Sequence, residues 1–221
     1  MELAVVLDEY DDEARIRRET AEDVARNNAV FTRAICDLFS LLAPLGHPSI
    51  PTRPMSLGLR AYSPSDWWRR GDPSFARNMR RFRTTEDLFD ARYQHSFLEL
   101  SETSGTALDF ITEFHIPTPF APDKALHYRH ISPSACCRIS SKLTGLESID
   151  WVLLDDEKMD LALRTRLRID SAEGLTLMPS SLHSMWLSYW RSWPRNHNMS
   201  SQDLLGPAGL KVDPLSREPS W

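Results

Sequence analysis

Three segments of this chain line up. Leu108–Ile116, Leu146–Leu154 and Leu182–Trp190 each open with Leu, carry Ile or Met three positions on, and continue in β-favouring residues. Their opening leucines stand 38 and 36 residues apart. A near-constant period of this length signals a recurring supersecondary unit, and one such unit cannot bury its apolar face alone. The units must stack on one another.

Helix signals fall between the strands. Ser132 suits an N-cap and Pro133 the first helical position, with Cys136, Ile139 and Leu143 following at helical spacing. Asp155 or Asp156 suits the next cap, ahead of the stripe Met159, Leu163 and Leu167, with Gly174 as terminator. Earlier, Leu3–Leu7 reads as a short strand. Asn27 or Asn28 then caps a helix with the stripe Phe31, Ala34, Ile35, Leu38, Phe39 and Leu42. Leu57, Leu59 and Ala61 alternate with Gly58 and Arg60 as another strand.

Strands alternating with helices favour a parallel sheet. The expected fold is therefore α/β, a leucine-rich-repeat-like solenoid of strand–helix repeats. An open α/β sheet covered on both sides is the alternative. The expected organisation is a strand–helix–strand unit over 1–62, a mobile charged insertion over 63–105, strand–helix repeats over 106–190 and an irregular tail over 191–221.

Composition removes several classes of function. A net charge of −5 and a pI near 5.8 do not suit a chain built as a whole to coat nucleic acid or anionic membrane. Cys36, Cys136 and Cys137 are an odd count with two adjacent, which is no disulfide framework and fits a reducing compartment. The N-terminus has no basic region ahead of a long apolar run, so no secretory signal is expected. No uninterrupted apolar stretch approaches a membrane span, and cytosol or nucleus is the expected location.

Several runs resemble a family. Leu7-Asp8-Glu9-Tyr10-Asp11, Arg26–Ala34, Asp37–Leu42, Leu59–Asp66, Leu146–Trp151 and Pro179–Leu182 are similar to stretches of fungal F-box proteins with degenerate leucine-rich-like repeats. The resemblance covers about residues 3–66 and 106–216 and implies a repeat surface that binds another protein. In the family an F-box, which docks the adaptor of a cullin-type ubiquitin ligase, precedes the first repeat strand. Here that strand opens at Leu3, so neither an F-box nor binding of the adaptor is expected.

Local chemistry offers little competition. His127 and His130 stand near Cys136 and Cys137, but no spacing matches a zinc site, and a polar loop before a helix is the plainer reading. Vicinal Cys136 and Cys137 close a disulfide only through a strained peptide, which disfavours a redox role. Asp8, Glu9, Asp11, Asp12 and Glu13 lack the central Gly of a calcium loop and read as a solvated turn. Trp67 to Arg83 holds six arginines against Asp72 alone, yet Lys supplies only 4 of the chain's 26 basic residues, so arginine enrichment is general. Nucleic acid is accordingly not the expected partner. No phosphate-binding Gly loop and no Gly-x-Ser-x-Gly elbow occurs. Catalytic residues, metal ligands and cofactors are expected to be none.

Alternation places Ile149, Trp151 and Leu153 on one face of their strand and Ser148, Asp150 and Val152 on the other. Met185, Leu187 and Tyr189 likewise oppose Ser184, Trp186 and Ser188. In the 108–116 segment Phe110, Phe114 and Ile116 compete with Ile111 for the inside, leaving its face open. The expected function is a non-catalytic protein-binding scaffold contacting an unknown protein partner through Asp150, Trp186 and Trp190. An enzyme of an α/β class without a motif and a truncated gene product without independent function are the alternatives.

Overall fold

The computed structural model describes residues 1–15, 17–46, 53–66, 92–93, 96–101, 106–117, 128–154 and 161–190. The elements are β1 (Glu2–Val6), α1 (Asp12–Arg15), α2 (Ala21–Leu42), β2 (Met55–Tyr62), β3 (Ile111–Ile116), α3 (Pro133–Ser140), β4 (Ser148–Leu154), α4 (Leu161–Leu175) and β5 (Ser184–Trp190). The five strands form one sheet in the order β1-β2-β3-β4-β5, and every pair is parallel. The fold is α/β with an open parallel sheet.

One face of that sheet is the core. Leu57, Phe114, Ile149 and Met185 stand in register across four strands, and Ile116, Trp151 and Leu187 form the next row. Leu57, Phe114, Ile149 and Trp151 are each 2% exposed or less. Phe114 meets Trp151 edge-on, with ring centroids 5.8 Å apart, a favoured aromatic geometry. Burying one such large side chain contributes about 1.5–3 kcal/mol.

A bulge in β3 settles the face left open by its sequence. Met55 pairs with Ile111, but Ser56 pairs with Glu113, so Thr112 is an extra residue. Ile111 and Phe114, three apart, are then both buried. Ile116 follows Phe114 inward.

The helices hold their stripes but not all their predicted ends. Helix α2 buries Phe31, Ile35, Phe39 and Leu42. It starts well before Asn27, because Thr20 is the cap: its side chain accepts from the Asp23 N–H, and the Asp23 carboxylate accepts from the Thr20 N–H. This reciprocal box satisfies two helix-end donors. Asn27 is instead a buried residue of the helix interior. Residues 21–46 are long and apolar enough, by length and composition, to cross a membrane; in this fold the apolar stripe of α2 belongs to the core.

Helix α3 has Ser132 as N-cap and Pro133 in its first turn, as expected. Gly174 does not terminate α4 but lies within it. A Cβ there would stand 2.8 Å from Cys137 Cβ, so the glycine permits close approach of α3 and α4. The Asp155 or Asp156 cap and Met159 lie outside the described residues. Leu167 is buried and Leu163 half-buried.

The stretch assigned to a mobile insertion is anchored at both described ends. Ser63, Ser65 and Asp66 are buried at one end, and Arg92, Tyr93, Phe97, Leu98 and Leu100 at the other. Leu98 makes a parallel bridge with Ile131. These described residues of the 63–105 stretch therefore belong to packed structure. The Trp67–Arg83 stretch and the 191–221 tail lie outside the described residues.

Candidate functional site

The second face of the sheet carries two of the residues expected to make contacts, Asp150 and Trp186. Strand alternation fixes their side, and the parallel register fixes their order. Glu2, Gly58, His115, Asp150 and Trp186 form one row across all five strands. Trp186 is 60% exposed, and Asp150 is exposed beside it. Trp190 pairs with Leu154 at the end of the same strand; its side chain lies outside the described part of the structure. Two of the three expected contact residues are thus cross-strand neighbours on the solvent side.

Local contacts fix this surface. Trp186 Nε1 donates to Ser188 Oγ at 3.0 Å, which fixes one edge of the indole along β5. A Cβ on Gly58 would overlap the His115 imidazole. The missing side chain at 58 lets that ring lie across β2. Arg60 Nη2 meets Glu2 Oε2 at 3.0 Å, while Arg60 Nη1 donates to the Tyr128 hydroxyl at 2.8 Å. The Arg60 guanidinium also lies 5.3 Å from the Tyr128 ring centroid, within cation–π range. Glu113 shares the face two residues before His115 and is exposed.

A second constellation, which no local spacing announces, gathers beyond the C-terminal ends of β1 and β2. Asp66 Oδ1 accepts from Tyr93 Oη at 2.6 Å and also from the Tyr10 hydroxyl, while Asp66 Oδ2 accepts from the Ser63 N–H. Arg129 Nη2 meets Glu19 Oε2 at 2.6 Å, with both side chains 1% exposed. Glu19 also accepts from Asn27 Nδ2 at 2.7 Å and from the Ser96 hydroxyl. Arg92 stacks on Tyr10 at 4.0 Å and Arg129 on Tyr93 at 3.8 Å. Burial, then the Asp66 charge, raises the Tyr10 hydroxyl above its ordinary range. Burial also outweighs the neighbouring arginines and raises Tyr93. Both carboxylates are filled by protein donors, so this network ties Tyr10 and Tyr93 to Asp66, and Asn27, Ser96 and Arg129 to Glu19. Removing one member of a buried pair strands the other charge, at a cost of about 3–5 kcal/mol.

No family model, curated protein or solved structure matches this chain.

The other residues of chemical interest are dispersed. His130 is buried, and burial with the Arg129 charge pushes its imidazole down to about 3. Burial raises the Cys136 thiol and pushes that of Cys137 up to about 12. A thiol so raised is protonated at neutral pH and a poor nucleophile. Among the described residues no three His, Cys, Asp or Glu side chains converge to hold a metal; His127 lies outside them. Asp11 caps α1, accepting from the Ala14 N–H at 2.7 Å. A cavity of about 460 Å³ opens between α3 and α4, with Ser134, Arg138, Asp170, Glu173 and Gly174 on its wall.

Proposed function

We propose that the chain is a non-catalytic protein-binding scaffold whose docking surface is the open face of the sheet. The observation that carries this reading is the Asp150–Trp186 pair, set side by side on adjacent strands with the indole 60% exposed. Tryptophan is enriched among residues that dominate binding energy, and a solvent-facing one on a rigid strand is already ordered for contact. The strand order supports a repeat architecture of leucine-rich-repeat-like type. Each strand lies beside the one that precedes it in sequence, as in stacked repeats. The likeness to the repeats of fungal F-box proteins points the same way. Docking of a ligase adaptor forms no part of the proposal.

The test is affinity capture with the tagged full chain, followed by hydrogen-exchange mapping of the captured complex. A stoichiometric protein partner should be retained by the native chain and lost by Trp186→Ala, with the thermal melt of the variant unchanged. Protection on binding should fall on residues 148–154 and 184–190. A partner retained by Trp186→Ala, with protection on α2 and α4 instead, would refute the assigned surface.

A further inference from the structure

We infer, building on the scaffold reading, that the partner segment seated on this face presents an arginine or lysine side chain to Trp186 and Asp150. Charge on the face decides the choice. Glu2 is engaged by Arg60, and Arg60 is further held by Tyr128. Glu113 and Asp150 are exposed, and no described cation pairs with either. An apolar side chain docked on Trp186 would take the neighbouring Asp150 carboxylate out of water without a counter-charge, which is unfavourable. A cationic head meets both groups at once. Adjacent strands stand about 4.8 Å apart, so an ammonium or guanidinium over the indole is within reach of the cross-strand carboxylate. The indole face attracts a cation through its quadrupole, and tryptophan is the strongest of the aromatic rings in this respect. An acidic segment would meet Glu113 and Asp150 as like charges. A nucleic-acid backbone would meet them the same way.

Selection of a random 12-residue peptide phage library on the full-length chain tests this inference. Enriched peptides should carry arginine or lysine, and as synthetic peptides should bind Trp186→Ala about five-fold more weakly in fluorescence anisotropy. Asp37→Asn, which removes one exposed carboxylate from α2, should leave their affinity unchanged. Asp150→Lys should invert the selection toward acidic peptides, a change that mere loss of stability does not produce. Enriched peptides that are apolar or acidic yet sensitive to Trp186→Ala would overturn the cationic choice while leaving the docking face in place. No enrichment, or binding indifferent to both Trp186→Ala and Asp150→Lys, would overturn the inference. The capture experiment judges the scaffold reading separately.

Discussion

Lowering the pH from 7.5 to 5.0 is expected to destabilise this fold by about 2 kcal/mol through His130 alone. His130 is 8% exposed and lies 6.0 Å from the Phe97 ring, centroid to centroid. Its imidazole is pushed down to about 3 by burial and by the adjacent Arg129 charge. In the unfolded chain the same group titrates near about 6.5. Between those values the unfolded state binds a proton and the folded state does not. Stability contributed by neutral His130 is therefore complete above about 6.5 and falls as the pH drops. At about 1.36 kcal/mol per unit, 1.5 units below 6.5 gives the stated loss. Asp23 does not confuse this window. Burial alone would raise its carboxyl, but the Thr20 N–H and Arg17 hold it well below the usual range. Its stability is present above about 3.9 and is lost only at lower pH. Urea unfolding at pH 7.5, 6.0 and 5.0, followed by circular dichroism, measures the slope. In His130→Gln about 2 kcal/mol of the stability difference between pH 7.5 and 5.0 should disappear. Proton NMR of the native imidazole supplies a readout independent of the variant's folding. A titration midpoint near 6.5, or an unchanged slope in His130→Gln, would refute the reasoning.

Two further outcomes follow from local geometry. A Cβ on Gly145 would overlap the Asp109 carbonyl, and backbone cannot swing aside, so Gly145→Ala should cost at least about 2 kcal/mol in denaturant melts; a change within about ±0.5 would show the turn to be pliable. Thr20→Ala opens the capping box of α2 and should cost about 1 kcal/mol in a thermal melt, with loss of helical signal at residues 21–24 in NMR. Retained helical shifts there would mean that Asp23 alone holds the helix start.

Periodic apolar residues made the sheet legible. Leu57, Leu59 and Ala61, then Ile149, Trp151 and Leu153, alternate as a half-buried strand must, and the structure buries those side chains. The solvent side of Asp150 and Trp186 followed from the same alternation. What stayed hidden depends on contacts between distant residues. Arg129 and Glu19 pair across 110 positions, and each taken alone reads as a solvated charge. Gly174 looks like a terminator because its role is set by Cys137 on another helix. The start of α2 was obscured by the polar residues from Glu22 to Asn28, of which Asp23 and Asn27 are buried through their hydrogen bonds. The β3 bulge is invisible because its extra residue, Thr112, is an ordinary strand former.

Strand order has a bearing on how such a chain can change over time. Because, among the described residues, each strand is bonded only to the strands before and after it in sequence, an additional unit placed beside β5 would extend the sheet without breaking these ladders. Both faces of that outer strand already look outward: Met185 is 46% exposed on one side and Trp186 60% on the other. Among the described residues the hydrophobic row through Leu57, Phe114 and Ile149 has Met185 as its last member. In a sheet whose strands are interleaved, an insertion must separate established neighbours. Here duplication of a gene segment lengthens the molecule by about 4.8 Å per strand and widens the exposed face by the same step. Selection can then enlarge or trim the reach of the surface one unit at a time while the remaining strands keep their partners.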